Sequence, residues 1–283
     1  MPVLTSKREI ERIASAALAE DGRLDITSAL TIPARVQAGG VLEYRSGGVL
    51  SGVPYATEVA RSCGCKIEWS AVEGDTISHG TAVGIIRGEL ADILRAERPL
   101  LNLLQRASGI ATATRMYVNA VQGTRVRILH TRKTAPGLRS LDLAAVLAGG
   151  GHAHRADLSH EVMVKDNHWR ALARSGSGLD QALAAARKRG ITALYVEVES
   201  VEQLELACAA GATRLLVDNQ APATVRSWAQ LARERLPGIE IEATGGVSLA
   251  NVREYAEAGA DFISIGALTH SVTAADIAIE VKI

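Results

Sequence analysis

"ALYVEVESVEQLELACAAGATRLLVDN", residues 193–219, holds two short β-rich runs, ALYVEVE and RLLVDN, on either side of a helical pattern. Strand, helix, strand at this spacing is a βα unit, and its strands run parallel. The same rhythm extends in both directions. Further β-rich runs stand at 125–130 (RVRILH), 161–166 (EVMVKD), 239–246 (IEIEATGG) and 261–266 (DFISIG). Helical patterns fill most of the gaps, at 178–190, 200–211 and 248–259. Six strands with glycine punctuation predict a barrel rather than an open sheet. No GxGxxG follows a strand and opens a helix, so a dinucleotide fold has no support.

Before residue 112 the rhythm differs. Helix signals at 6–20 and about 91–107 flank short strand-like segments in 41–53 and 65–90, which turn on Gly and Asp. This predicts a small antiparallel sheet with helices, an α+β unit.

Composition narrows the function. The chain has 283 residues, enough for one large or two ordinary domains. Apolar residues make up 47% and aromatics only 3%, so the core is built mostly from Ala, Val, Leu and Ile. Lys plus Arg is 31 and Asp plus Glu is 31, which gives no argument for nucleic acid or an anionic membrane as partner. No stretch approaches the roughly 18 apolar residues of a membrane helix. The first twenty residues are charged throughout and lack a signal peptide's apolar run. Cys63, Cys65 and Cys208 are an odd count without a CxxC pair, which argues against a disulfide framework and a zinc site. A reducing cytoplasm is the expected location.

Against this neutral background the cations gather in one place. Residues 130–169 contain His130, Arg132, Lys133, Arg139, His154, Arg155, Lys165 and His168 around a triple glycine. A local cluster on a neutral chain suggests a small anionic ligand. In a β/α barrel, chemistry collects at the C-terminal ends of the strands. His130, Arg132 and Lys133 follow the first barrel strand, and Lys165, Asp166 and Asn167 end the second. Glu197 and Glu199 end the third, Asp218 and Asn219 the fourth, Thr244, Gly245 and Gly246 the fifth, and Gly266 the sixth. These predict a mouth with cations on one side and carboxylates on the other. It suits a polyanionic small molecule plus a divalent metal or a developing positive charge.

Each motif also has a plainer reading. "ATGGVSLANV" (243–252) and "ISIGALTHS" (263–271) have the form of a barrel phosphate site. There, paired glycines let backbone N–H groups approach an anion, and Ser248 or Leu249 opens a helix. His270 adds a hydrogen bond. The alternative is a tight turn that needs positive φ. Glu197 and Asp218 suit Mg²⁺ or ribose hydroxyls, or serve as ordinary strand-end acids. Lys165, after Val-Met-Val, must be paired or functional, or else snorkel to solvent. His154 reads as a general base or a structural histidine.

Several stretches together resemble the quinolinate phosphoribosyltransferase family, the carboxylating nicotinate-nucleotide pyrophosphorylases. They are "ERPLLNLLQRASGIAT" (97–112), "TRKTAPGLR" (131–139), "AGGG" (148–151), "HR" (154–155), "KDNH" (165–168), "VEVES" (196–200), "VDN" (217–219), "ATGG" (243–246) and "SIGALTHS" (264–271), in the family's order. The resemblance implies an α/β fold: an N-terminal α+β domain with an antiparallel sheet (1–112), then an incomplete parallel β/α barrel carrying the active site (113–270). It also implies a C-terminal helix, 271–283, that packs back on the first domain. The implied reaction joins quinolinate to phosphoribosyl pyrophosphate with Mg²⁺, giving nicotinate mononucleotide, pyrophosphate and CO₂, with no organic cofactor.

Residue by residue, the resemblance implies that quinolinate's carboxylates meet Arg106, Arg132, Lys133, His154, Arg155 and Lys165. Glu197 and Asp218 sit by the ribose and hold Mg²⁺ directly or indirectly. Thr244, Gly245, Gly246, Gly266 and His270 hold the 5′-phosphate. Lys133, Lys165, Glu197 and Asp218 are the implied catalytic residues. A homodimer with shared active sites, or a higher oligomer, is implied as well. Departures fall at His130, Leu143-Ala144, Ala153, Asp157 and His160, and Leu24-Asp25-Ile26-Thr27 lacks the familiar preceding Gly. They leave two alternatives: a pyrophosphorylase of the molybdenum-transport-associated type acting on another aromatic acid or base, and a non-catalytic regulator that binds a phosphorylated ligand.

Overall fold

The computed structural model describes residues 6–22 and 24–283. Residues 1–5, at the start of the first predicted domain, and Arg23 lie outside the described residues. The chain opens with α1 (Lys7–Glu20), α2 (Ile26–Thr31), β1 (Gln37–Tyr44), β2 (Gly48–Val49), α3 (Val53–Ser62), β3 (Lys66–Trp69), β4 (Thr76–Ile77), β5 (Thr81–Glu89) and α4 (Leu90–Ala120). There follow β6 (Arg127–Leu129), α5 (Arg139–Ala148), β7 (Val162–Val164), α6 (Asp166–Ser175), α7 (Leu179–Lys188), β8 (Leu194–Val198) and α8 (Val201–Ala209). The last elements are β9 (Arg214–Asp218), α9 (Pro222–Arg235), β10 (Glu240–Thr244), α10 (Val252–Glu257), β11 (Phe262–Ser264), α11 (Ala267–His270) and β12 (Ile277–Lys282).

The chain forms two compact units. One comprises the residues up to Arg115, Lys133–Gly151 and Ala267–Ile283; the other comprises Met116–Arg132 and His152–Gly266. The contiguous division into 1–112 and 113–270 therefore misses two segments, because Lys133–Gly151, with α5, and Ala267–His270, which is α11, group with the first unit.

The first unit has an antiparallel sheet in the order β12-β1-β5-β3. Its core includes Leu42, Tyr44, Val59, Ile86 and Ile93, none of them exposed. Two short helices start on side-chain caps: Ser6 accepts from the Glu9 N–H at the head of α1, and Asp25 from the Ser28 N–H at the head of α2. The predicted C-terminal helix is replaced by a strand. The sequence "IAIEVK" alternates apolar and polar residues, so Ile277 and Ile279 are buried while Glu280 and Lys282 face out. Period two with β-branched side chains suits a sheet edge, and β12 pairs with β1 from Tyr44↔Ile277 to Gly39↔Lys282.

Helix α4 is also longer than predicted, at 31 residues. A buried stripe through Leu100, Leu104, Ala107, Ala111, Thr114, Tyr117 and Val121 keeps helical spacing well past the boundary expected at 112. Pro99 lies inside the helix without ending it.

The second unit is a six-stranded sheet in the order β6-β11-β10-β9-β8-β7, all parallel. Among the described residues no ladder joins β6 to β7, so the barrel is incomplete. Its register sorts the side chains. Val196, Val198, Leu215, Val217, Ile241, Ala243 and Ile263 fall on one face, all buried. Tyr195 and Glu197, Arg214 and Asp218, Glu240, Glu242 and Thr244, and Phe262 and Ser264 share the other. A sheet that is apolar on one face and charged on the other has already placed its chemistry on a single side.

Candidate active site

Ten of the thirteen predicted site residues belong to the second unit: Arg132, His154, Arg155, Lys165, Glu197, Asp218, Thr244, Gly245, Gly246 and Gly266. Lys165 follows β7 directly, and its Nζ donates to Glu197 Oε2. The lysine is therefore paired rather than snorkelling. Glu197 is buried, and its carbonyl accepts the Trp169 indole N–H at 2.9 Å. In the register Glu197 lies opposite Leu216, so Asp218 is two residues further along on the same face. Asp218 ends β9, and its Oδ2 accepts from Asn219 Nδ2 at 2.7 Å.

These two carboxylates are hard oxygen donors of the type Mg²⁺ prefers. Among the described residues no group of three or more His, Cys, Asp or Glu side chains could hold a metal. The pair therefore fits an ion that keeps most of its shell as water and substrate oxygens, which is the usual habit of Mg²⁺.

The turn after β10 depends on glycine. Gly245 has φ 79° and Gly246 φ 64°. A Cβ on Gly245 would lie 2.2 Å from Asn219 Oδ1, so no other residue fits there without displacing Asn219. The predicted helix at 248 starts later. Residues 248–251 form a turn in which the Ser248 N–H donates to Asn251 Oδ1 at 2.7 Å, and α10 begins only at Val252. The asparagine side chain captures the backbone before a helix can form. Any anion here would meet the glycine turn rather than a helix end.

Two guanidinium groups stand beyond the first strand. Arg132 Nε is buried with no hydrogen-bond partner. Burial, and next the charge of Arg132, hold the Arg155 guanidinium below its ordinary pKa, against a pull from Glu161, Glu197 and Glu242. Two partly buried cations that press on each other, one with an unsatisfied donor, are costly unless an anion enters.

The His154 side chain is engaged within the protein. It is 6% exposed. Nδ1 accepts the Arg155 N–H at 2.7 Å, and Nε2 lies 3.1 Å from Glu242 Oε2. Nδ1 therefore carries no proton, and Nε2–H donates to the carboxylate. The ring orients the Arg155 backbone.

The sequence reading missed Glu242. It is fully buried and binds both His154 and Arg214, whose Nη1 lies 3.1 Å away. Burial would raise its pKa, but the His154 hydrogen bond and the Arg214 charge outweigh burial and lower it. Arg214 also pairs with Glu240 at 2.8 Å and stacks on Phe262 and Tyr195. The signal was present: Glu240, Glu242 and Thr244 alternate along β10, so Glu242 shares a face with a predicted phosphate ligand. His130 belongs to the same group. It is fully buried, and its Nε2 accepts the His154 N–H at 3.0 Å. Burial lowers its pKa to about 4, so it is neutral at pH 7.

The other three predicted residues, Arg106, Lys133 and His270, belong to the first unit. Arg106 on α4 forms a two-bond fork with Asp142, both bonds 2.8 Å. Thr269 Oγ1 donates to the Lys133 carbonyl at 2.9 Å, and His270 Nδ1 lies 2.8 Å from Ser271 Oγ.

Comparison with known proteins bears on the whole chain. Two family models, "Quinolinate phosphoribosyl transferase, N-terminal domain" and "Quinolinate phosphoribosyl transferase, C-terminal domain", match residues 25–108 and 110–280. The nicotinate-nucleotide pyrophosphorylase [carboxylating] of Mycobacterium leprae is 38% identical over 270 residues, 93% of this chain and 94% of that one. The human protein of the same name is 35% identical, covering 83% and 80%. The solved structure of the nicotinate-nucleotide pyrophosphorylase from Francisella tularensis superposes with a TM-score of 0.90 at 29% identity, over 98% of both chains.

Proposed function

The chain belongs to the quinolinate phosphoribosyltransferase family, and from that premise we propose how its residues join quinolinate to phosphoribosyl pyrophosphate. The observation that carries the reading is the strained cation pair, Arg132 and Arg155. Quinolinate brings two adjacent carboxylates, and a dianion satisfies the buried Arg132 Nε while relieving the repulsion. Lys165 and Lys133 complete the clamp, and Arg106 of a second copy reaches it in a two-fold dimer. His154 holds the Arg155 backbone in place through its N–H.

The ring nitrogen then attacks the anomeric carbon of the ribose, whose bond to the pyrophosphate oxygen breaks. Positive charge develops at that carbon, and the Glu197 and Asp218 carboxylates oppose it. The glycine turn at 245–246, with Thr244, Gly266 and His270, holds the 5′-phosphate. Asp218 and Glu197 would hold a Mg²⁺ ion, directly or through water, and the ion would supply charge neutralisation for the diphosphate leaving group. Once alkylated, the ring nitrogen is a cationic electron sink. The adjacent carboxylate leaves as CO₂, its electron pair passes to the ring, and a proton from solvent takes its place. The product is nicotinate mononucleotide.

Among the described residues no helix is long and apolar enough to cross a membrane. Cys63, Cys65 and Cys208 are free and buried, in keeping with a cytoplasmic location. Neither a non-catalytic regulator nor a different acceptor acid is favoured, since both halves of the chain match the family.

Titration calorimetry with quinolinate and with nicotinate, which lacks one carboxylate, tests the clamp. One charge-assisted contact corresponds to roughly tenfold or more in affinity. Quinolinate is expected to bind tighter by that factor, and Arg155→Ala to close the gap. Equal affinities for the two acids would remove the reading.

A further inference from the structure

One fully buried carboxylate has no part in this chemistry. Asp142 on α5 exposes no surface, yet it accepts three hydrogen bonds. Two come from Arg106, from Nε and Nη2 at 2.8 Å each, and the third from the Ala135 N–H at 3.0 Å. Arg106 Nη2 also donates to the Thr269 carbonyl at 3.0 Å, and Thr269 Oγ1 donates to the Lys133 carbonyl at 2.9 Å. The bonds form a closed set. Asp142 grips the guanidinium of Arg106 and the backbone two residues after Lys133. The same guanidinium grips the residue before His270, and that residue grips Lys133. All three predicted site residues of the first unit are thus tied, directly or through a neighbour, to one carboxylate.

We propose that Asp142 is a positioning residue that pre-sets the Arg106 guanidinium for the acid substrate. The proposal rests on the function given above. An arginine side chain has several freely rotating bonds, and freezing them during binding costs affinity. A fork with two parallel bonds freezes them beforehand. The fork and the Thr269 carbonyl engage Nε and Nη2, which leaves the Nη1 edge for a ligand. Arg106 also borders a cavity of about 300 Å³, with Arg12, Asn102, Leu103 and Gly137 among its other walls. The guanidinium is therefore held at an open space and not sealed in a core.

Charge and positioning have opposite effects on quinolinate binding. If only charge mattered, Asp142 would weaken anion binding, since it offsets Arg106, and removing its charge would tighten quinolinate. If positioning dominates, removing it loosens quinolinate. The test is steady-state kinetics on full-length Asp142→Asn, with unfolding temperature measured alongside. The quinolinate KM is expected to rise about tenfold, with the phosphoribosyl pyrophosphate KM within about twofold. The quinolinate effect should vanish in an Arg106→Ala background, because the carboxylate acts through that arginine. A general loss of fold would not select one substrate or depend on Arg106.

Arg106→Lys is the second variant, for use even if Asp142→Asn does not fold. It keeps the charge but cannot make the fork, and is expected to raise the quinolinate KM to a similar extent. An unchanged or lowered quinolinate KM in either variant overturns the proposal while the function stands, as does an Asp142→Asn effect that persists without Arg106. Wild-type protein that does not turn over quinolinate and phosphoribosyl pyrophosphate overturns the function and this proposal together.

Discussion

His130 should make the protein acid-sensitive in a defined window. The imidazole is fully buried, and burial lowers its pKa to about 4. An ordinary histidine, as in the unfolded chain, titrates near 6.5. The unfolded chain therefore binds a proton that the folded chain refuses between these values. The stability this represents is fully present above about pH 6.5 and is lost as pH falls through about 4. A gap of about 2.5 units corresponds to about 3 kcal/mol at 1.36 kcal/mol per unit. About 2 kcal/mol of it is gone by pH 5. Protonation also removes the acceptor of the His154 N–H, so the Arg155 clamp loosens in the same range. The perturbation is His130→Ala, and the assay is urea unfolding at pH 7 and pH 5. The variant should be less stable at pH 7, because it leaves a cavity. Its further loss between pH 7 and pH 5 should be smaller than wild type's by about 2 kcal/mol. Equal losses in the two proteins would refute the reasoning, since the titrating group would then lie elsewhere.

Glu242→Gln removes the charge shared by His154 and Arg214, and should cost about 3 kcal/mol in urea unfolding, the low end for breaking a buried pair, because Arg214 keeps Glu240. Under 1 kcal/mol would mean the network is not coupled as drawn. Gly245→Ala should raise the phosphoribosyl pyrophosphate KM and leave quinolinate binding within about twofold by calorimetry, since only the turn after β10 is strained. Asp218→Asn keeps the side chain's shape and should lower kcat with quinolinate affinity nearly intact; normal turnover at every Mg²⁺ concentration would make this carboxylate structural only.

The barrel strands could be read in the sequence because their period is short and local. ALYVEVE and RLLVDN alternate within a few residues, and the polar members of each alternation mark one face. Asp218, Thr244 and Lys165 stand out as candidates because they end such runs. Glu242 sits in the middle of one, where a charge usually argues against burial. The Arg214 and His154 partners, brought by other segments, make its position tolerable. Asp142 was hidden for a related reason. Its fork reaches Arg106 on another helix, and no periodicity records a contact between segments. The C-terminal helix expected from the resemblance became a strand, though the alternation in IAIEVK was plain. Helix α4 outran its predicted end because its apolar stripe continues after the domain boundary expected at 112. The later start of α10 reflects Asn251, whose side chain competes locally for the Ser248 N–H.

The central claim is a transfer with decarboxylation on one site. It is tested most directly by incubating the purified protein with carboxyl-labelled quinolinate, phosphoribosyl pyrophosphate and Mg²⁺, and measuring labelled CO₂ and pyrophosphate together. The account predicts release of the two in equal amounts, with nicotinate mononucleotide accumulating in step. Pyrophosphate without CO₂, or neither product, would contradict it.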